Sequence, residues 1–94
     1  MAEINWTPFA LEDLQSIYNY ISKDSISYAD RLVDKLVNSV DILEGHPEIG
    51  RIVPEFENEA IRELIEGNYR IIYKILSITE VAIIRVHHSA QLLK

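Results

Sequence analysis

The feature that most constrains the fold is a run of three strand-like segments near the carboxyl end of the chain. The segments are residues 60–66, 69–76 and 81–86, separated by Gly67-Asn68 and by residues 77–80. Short runs rich in β-branched and aromatic residues, bounded by turn residues, are typical of strands joined by hairpins. The pattern therefore predicts an antiparallel meander of three strands.

The length of the first turn decides which side chains share a face of this sheet, because a slip of one residue moves a whole strand's side chains to the other face. With Gly67-Asn68 as a two-residue turn, Arg62 shares a face with Ile71 and Tyr73. A three-residue loop over residues 66–68, closed by a residue in the left-handed conformation, instead separates apolar from charged side chains. We predict the three-residue loop because of that separation.

The predicted register gives the sheet one apolar face and one mixed face. The apolar face, expected to form the core, carries Ile61, Ile65, Ile71, Tyr73, Ile75, Ala82, Ile84 and Val86, with Glu63 as its exception. The mixed face carries Arg62, Arg70, Lys74, Arg85 and His87, interleaved with Leu64, Ile72, Leu76, Val81 and Ile83. Four of the nine Lys and Arg residues thus lie on one surface of a chain with net charge −6. A solvated face would also carry cations, but the aliphatic residues between them favour a binding face.

Length and charge narrow the class of protein. Ninety-four residues, 48% of them hydrophobic, suit one small domain over residues 1–94. The acidic balance argues against non-specific affinity for nucleic acid, and the lack of cysteine excludes disulfides and thiolate ligands. With no signal-peptide pattern and no apolar run of the ~20 residues that span a membrane, we expect a soluble, cytoplasmic protein that does not bind membranes.

A short strand and a helix precede the meander. Ile4 and Trp6 alternate with polar residues, the pattern of an edge strand over residues 3–6. Thr7 can cap a helix that begins at Pro8, where the missing N–H of proline costs nothing. Apolar residues at intervals of three and four continue that helix to about residue 23.

A second helix follows, capped by Ser25 or Ser27 and ended near residue 44 by Gly45 and Pro47. The two helices form an αα-hairpin whose apolar surface the meander covers. Residues 46–60 are predicted as a wrapped loop whose acidic run is a solvated edge. The sequence thus predicts an α+β fold in the order β-α-α-β-β-β: an N-terminal edge strand, then an αα-hairpin packed on a C-terminal antiparallel meander.

The residues suggest binding more than catalysis. The chain has no Gly-rich phosphate loop, no HExxH and no GxSxG. His87 and His88 point to opposite faces of a strand, so we expect no metal site and no cofactor. Guanidinium groups can hold phosphates or carboxylates bidentately, and a histidine can act as an acid or a base. The predicted binding residues are Arg51, Arg62, Leu64, Arg70, Ile72, Lys74, Arg85 and His87.

Several short motifs occur in a fixed order. They are W-T-P-x-A-x-x-D-L from residue 6, P-E-I-G-R from 47, I-R-E-L from 61, Y-R-I-I-Y from 69 and V-x-H-x-x-x-x-L from 86. Over nearly its whole length the sequence resembles the ParE/RelE superfamily of type II toxin–antitoxin toxins. The resemblance implies an αα-hairpin on an antiparallel sheet. It also implies a growth-inhibiting bacterial toxin that an antitoxin partner holds inactive in a hetero-oligomer.

The superfamily has two branches with different targets. RelE-like members cleave messenger RNA on the ribosome with clustered Lys and Arg and a late acid–base residue, whereas ParE-like members poison DNA gyrase without being nucleases. Arg62 and Arg70 match motif positions, but Gln91 stands where the family commonly has a late arginine. The acidic net charge is also poorly suited to docking on ribosomal RNA. The resemblance therefore favours a ParE-like gyrase inhibitor with no catalytic residue; the alternatives are a RelE-like endoribonuclease using His87, or a degenerate toxin that only binds.

Overall fold

The computed structural model describes residues 1–89, which form a five-stranded sheet carrying two helices. The elements are β1 (Glu3–Trp6), α1 (Pro8–Ser22), α2 (Ile26–Ser39), β2 (Arg51–Ile52), β3 (Ile61–Glu66), β4 (Tyr69–Ser77) and β5 (Glu80–His88). The strand order is β1-β5-β4-β3-β2, with β1 parallel to β5 and all other neighbours antiparallel. The predicted order is confirmed, with the short β2 added. Gln91, which the family comparison used, lies outside the described residues.

Side-chain caps fix the start of both helices. The Thr7 hydroxyl accepts a hydrogen bond from the Ala10 N–H, and the Ser25 hydroxyl accepts one from the Tyr28 N–H. The second helix was predicted to run to residue 44, but α2 ends at Ser39 and a 3₁₀ helix, Val40–Glu44, continues it. Such tightening of a last turn is common at helix ends. In the described part of the chain, neither helix is long and apolar enough to cross a membrane.

The core lies between the helical hairpin and one face of the sheet. Its fully buried members are Ala10, Leu36, Val40 and Leu43 on the helical side, with Ile71, Tyr73, Val81 and Ile83 on the sheet. We call the opposite face of the sheet the outer face. The core therefore holds Ile71 and Tyr73 as predicted, but it draws a different set of residues from β3 and β5.

The first turn of the meander has two residues, so the predicted three-residue loop is wrong. Glu66 pairs with Tyr69 across Gly67-Asn68, and Gly67 has a φ of 58°. A glycine with positive φ at the first central position is typical of a type II′ turn, whose twist matches that of the flanking strands. The geometry of the turn therefore outweighs the separation of charged from apolar side chains.

The shorter turn exchanges the two faces of β3. Arg62 pairs with Tyr73 and Leu64 pairs with Ile71, which places both β3 residues on the helix-facing side. The residues that were predicted for the core lie on the outer face instead: Ile61, Glu63 and Ile65. Arg62 therefore does not share a face with Arg70, Lys74 and Arg85.

A β-bulge at Ile84 moves side chains of β5 to the sheet face opposite the predicted one. Tyr73 pairs with Ile83 while Ile72 pairs with Arg85, so Ile84 is an extra residue without a partner of its own on β4. The extra residue shifts the alternation along β5. The core members of β5 are Val81, Ile83 and Val86, whereas the half-buried ones include Ala82 and Ile84. The predictions that put Ala82 and Ile84 in the core, and Val81 and Ile83 opposite it, are wrong.

Candidate functional site

The outer face carries an ion-pair network of four side chains: Arg51, Glu55, Glu63 and Arg70. Glu63 accepts hydrogen bonds from Nε of Arg51 through Oε2 and from Nε of Arg70 through Oε1, the latter at 2.5 Å. The two terminal nitrogens of Arg70 donate to the two oxygens of Glu55 at 2.9 and 3.0 Å. The network joins β2, β3 and β4 to the loop before β3.

Two side chains of this network are buried, so their charges must be compensated by the ion pairs within the network. The Glu63 side chain is 0% exposed and the Arg70 side chain 8% exposed. Taking such charges out of water costs several kcal/mol each unless partners and hydrogen bonds offset it. The hydrogen bonds to Glu55, joined by those to Glu63, raise the pKa of Arg70, while burial opposes the rise. The planar guanidinium of Arg70, a group that could hold a phosphate, therefore binds carboxylates of the same chain instead.

Tyr73 anchors the segment of residues 47–51 to the sheet. Its hydroxyl donates to the Pro47 carbonyl at 2.6 Å and accepts from the Gly50 N–H at 2.9 Å. Burial raises the pKa of Tyr73, against the effect of the bond from Gly50. A Cβ at Gly50 would lie 2.5 Å from the Tyr73 hydroxyl and 2.6 Å from the Glu63 carbonyl oxygen. Glycine is therefore required there, and the Tyr73 phenol serves the structure of the loop.

Arg62 holds the same segment from the helix-facing side of β3. Its Nη1 donates to the carbonyl oxygens of Glu48 at 3.3 Å and Gly50 at 3.1 Å. Its Nε is buried and has no hydrogen-bond partner in the part of the chain that the structure describes. These contacts direct the guanidinium to the backbone of the loop.

Arg85 is tied to α1 by Asp13. Its Nε and Nη2 donate to the two oxygens of Asp13 at 2.8 and 3.1 Å, and these bonds raise the pKa of Arg85. The same carboxylate accepts the Val86 N–H at 2.8 Å. Pairing with β1 stops where Trp6 meets Ile83, so Val86 lies on a free edge of the sheet. Asp13 thus satisfies a donor that would otherwise be open to another strand.

The structure separates the eight predicted binding residues. Those on the outer face are Arg70, Ile72, Lys74, Arg85 and His87, with Arg51 at its edge on β2. The two on the helix-facing side are Arg62 and Leu64. Ile72 is 1% exposed and therefore closed to a partner. Lys74 is half-buried and forms no ion pair within residues 1–89.

Sequence reasoning missed Glu55 and Glu63 as partners of the basic residues, and Tyr73 as the anchor of residues 47–51. Glu63 gave a signal, since a lone carboxylate in a predicted core needs a cation. Glu55 gave none, because it belongs to an acidic run of the kind that usually faces water. The residues define a small α+β domain in which one sheet face supports a helical hairpin and carboxylates of the same chain neutralise cations on the other face.

Comparison with known proteins places that domain in a family. Residues 4–93 match the family model described as the ParE toxin of the type II toxin–antitoxin system parDE. Toxin RelE2 of Caulobacter vibrioides is 34% identical over 92 residues, which cover 98% of this chain and 100% of that protein. The chain belongs to the ParE toxin family, within the ParE/RelE superfamily of type II toxin–antitoxin toxins.

Two solved structures have the same architecture. The chromosomal ParDE system from P. aeruginosa superposes with a TM-score of 0.77 at 25% identity, covering 94% of this chain and 96% of that one. The RelBE2 toxin–antitoxin complex from Mycobacterium tuberculosis gives 0.68 at 23% identity, covering 93% and 96%. The second likeness shows the fold alone. The matched family model carries the name ParE, whereas the 34% identical relative carries the name RelE2.

Proposed function

We propose that this toxin is ParE-like: it inhibits DNA gyrase by binding it in the cytoplasm, and a cognate antitoxin holds it inactive in a hetero-oligomer. The observation that carries the proposal is the ion-pair network. The guanidinium of Arg70, which lies opposite His87 on the outer face, already holds Glu55 and Glu63. A binding mechanism does not require that group to be available.

The chemistry of RNA cleavage supports the same choice. Attack by a ribose 2′-hydroxyl needs a base, a cation for the charge that develops on phosphorus, and an acid for the leaving oxygen. The carboxylates of Glu55 and Glu63 would repel an approaching phosphate. Tyr73 is committed to the loop at residues 47–51. Among the outer-face residues that the structure describes, His87 is the one histidine, and one group does not easily fill both proton roles in a single turnover.

The antitoxin partner is supported by the structural relatives. The P. aeruginosa structure is that of a ParDE toxin–antitoxin system, and the M. tuberculosis structure is a complex of toxin and antitoxin. We extend this mode of regulation to the present chain because the fold is shared over almost all of its length.

The second candidate is a RelE-like, ribosome-dependent endoribonuclease. The 34% identical relative carries the name RelE2, and His87 and Arg70 pair directly across β4 and β5. In this candidate Arg70 leaves Glu55 to bind the phosphate, and His87 transfers a proton. A degenerate toxin that only binds its antitoxin is the third outcome that an assay can distinguish.

Induction in a bacterial host, followed by assays with the purified toxin, tests the proposal. We expect growth arrest, gyrase-linked DNA breaks and loss of supercoiling activity when the toxin is added to purified gyrase. Messenger-RNA cleavage in a translation extract, abolished by His87→Ala, would establish the nuclease instead. Normal growth together with a stable antitoxin complex would identify a degenerate toxin.

A further inference from the structure

The hairpin that joins β4 to β5 carries an exposed apolar side chain at its turn. Ser77 pairs with Glu80, so the two central residues of the turn are Ile78 and Thr79. Ile78 is 93% exposed. The central positions of tight turns usually hold glycine, asparagine, aspartate or proline, whose backbones or side chains favour the turn. A β-branched aliphatic residue at the tip of a turn therefore departs from ordinary turn chemistry.

The side chain of Ile78 does not hold this turn together. The Ser77 hydroxyl accepts a hydrogen bond from the Thr79 N–H at 3.2 Å and lies 3.2 Å from the Thr79 hydroxyl. The Thr79 carbonyl accepts the Glu3 N–H at 2.8 Å, which fixes the turn to β1. The polar residues on either side thus form the turn, and the isoleucine gives the fold almost no apolar burial. Its surface remains available to another molecule.

Leu76, two residues before Ile78, is exposed as well. The pairing of β4 with β5 shifts by one residue between Ile75 and Ser77, so Leu76 is the extra residue of a β-bulge. Its side chain is 50% exposed. Bulges redirect side chains and are frequent beside functional sites. Two aliphatic side chains at this end of β4 therefore face solvent.

The 3₁₀ helix Val40–Glu44 adds a third exposed side chain from the helical side, because its Ile42 is 45% exposed. The Glu44 carbonyl accepts the Ala2 N–H at 2.7 Å, and the next N–H along the chain is the one that binds the turn. These two bonds place the 3₁₀ helix and the turn at one end of the sheet. We call this end the β4–β5 tip, and its exposed aliphatic residues are Ile42, Leu76 and Ile78.

The β4–β5 tip is also acidic. Glu3 and Glu80 lie side by side on β1 and β5, and both are exposed. Like charges directly opposite each other on neighbouring strands repel. Asp41 and Glu44 add two carboxylates on the 3₁₀ helix. None of the four forms an ion pair within residues 1–89. The tip thus combines exposed aliphatic surface with negative charge that a basic partner would neutralise.

We propose that the β4–β5 tip is the surface by which the toxin docks on a basic, apolar patch of its target, DNA gyrase. The inference rests on the proposed function, which names gyrase but no surface of the toxin. An enzyme that binds DNA carries basic surface for the phosphate backbone. The carboxylates of the tip attract such a surface and fix its orientation, and the aliphatic side chains supply the buried contact area.

Other occupants fit this chemistry less well. The four carboxylates would repel a nucleic acid or an anionic membrane. A second copy of the toxin, packed tip to tip, would bring the same negative charge against its own. The antitoxin is the remaining alternative, and measurement of both affinities on the same variants separates it from gyrase.

Inhibition of purified gyrase by the full-length toxin tests the surface. We expect Ile78→Ser to raise the half-inhibitory concentration about tenfold or more, because the docked toxin buries that side chain. Ile26→Ser, at a 64% exposed position on the first turn of α2, is the matched control and should change it less than about twofold. Both side chains are exposed in the free toxin, so the melting temperatures of the two variants should stay close to that of the natural protein.

Charge reversal separates the position of a carboxylate from its effect on net charge. Glu80→Lys and Asp24→Lys change the net charge equally, but Asp24 lies at the joint between α1 and α2, at the other end of the hairpin. We expect Glu80→Lys alone to weaken gyrase binding, by about fivefold or more. The same variant relieves the repulsion with Glu3 and should be at least as stable as the natural protein. Added salt should weaken gyrase binding less steeply in this variant.

Antitoxin binding decides between the two protein partners. We expect Ile78→Ser and Glu80→Lys to leave the Kd of the antitoxin within about twofold of its natural value. Loss of antitoxin affinity with undiminished gyrase inhibition overturns the proposal and assigns the tip to the antitoxin. Gyrase inhibition that is equally strong in all variants overturns the proposal and leaves the proposed function standing. A natural toxin without effect on gyrase removes the proposed function and the docking surface together.

Discussion

Glu63 and Arg70 lie diagonally across β3 and β4, with Oε1 of the carboxylate 2.5 Å from Nε of the guanidinium. Each directly opposes an aliphatic residue, Ile72 in one case and Ile65 in the other. The diagonal contact brings two opposite charges together in a buried position. The pair therefore depends on the geometry of the sheet, and removal of either side chain leaves the other buried with one ion-pair partner fewer.

Arg70→Met should lower the free energy of unfolding by about 3–5 kcal/mol, because Glu63 then keeps only its exposed partner, Arg51, and Glu55 loses two hydrogen bonds. Arg51→Met removes that other partner of Glu63, but the Arg51 side chain is 64% exposed, so its loss should cost at most about 1 kcal/mol. Urea denaturation of the two variants measures the difference. Equal losses would show that burial does not strengthen the Arg70 contact.

Gly50→Ala should destabilise the protein by about 1–3 kcal/mol, because the new methyl group overlaps the Tyr73 hydroxyl and the Glu63 carbonyl. Gly45→Ala is the matched control, since nothing lies within 4 Å of a Cβ there, and it should change stability by less than about 1 kcal/mol. Thermal unfolding of both variants provides the comparison. A Gly50 variant as stable as the Gly45 variant contradicts the close contact.

Asp13→Ala should cost more stability than Arg85→Ala, by about 0.5–1.5 kcal/mol. Both variants break the ion pair, but only the first also removes the acceptor of the Val86 N–H. Chemical denaturation measures the difference, and hydrogen exchange at Val86 should accelerate in the Asp13 variant alone. If the two variants match in both measurements, the carboxylate does not protect the edge of β5.

Alkaline pH should weaken the fold through Tyr73. Burial raises its pKa above the ordinary 10.0, so the folded state holds the phenolic proton more tightly than the unfolded state does. The resulting stability is present below about pH 10 and is lost as pH rises through the folded pKa. The free energy of unfolding between pH 9 and 11.5 should therefore fall less steeply in Tyr73→Phe than in the natural protein.

The Tyr73→Phe variant should also be less stable at neutral pH by about 1–3 kcal/mol, because it leaves the Gly50 N–H and the Pro47 carbonyl without their partner. Tyr20→Phe, at a 72% exposed position, controls for the loss of one phenol. Identical pH slopes for Tyr73→Phe and the natural protein would contradict the assigned role of Tyr73.

Local signals predicted the elements well. Thr7 and Ser25 each act within three residues of themselves, so the caps and the helix starts follow from the sequence. The strand limits followed from Gly67-Asn68 and from the apolar runs on either side. The order of the elements along the chain could be predicted because each of these signals involves neighbours in the sequence.

Register and pairing could not be predicted in the same way. The bulge at Ile84 has no glycine or proline to mark it, and it reverses the predicted faces of residues 81–84 while Arg85 and Val86 keep theirs. Arg85 finds Asp13 across 72 positions and Arg70 finds Glu55 across 15. A sequence shows that cations and carboxylates are both present, but the fold decides which of them meet. For this reason the basic residues that the sequence assigned to binding a partner are mostly bound within the chain.

Because β1 pairs with β5, the sheet can be completed only late in the synthesis of these residues. Residues 3–6 are synthesised well before residues 80–83, with which they pair. A nascent chain carries β1 unpaired until β5 has been synthesised, and contacts of such long sequence separation form slowly. Translation that stops before β5 yields neither the sheet nor the surfaces built on it. The complete sheet therefore arises only after β5 has been synthesised.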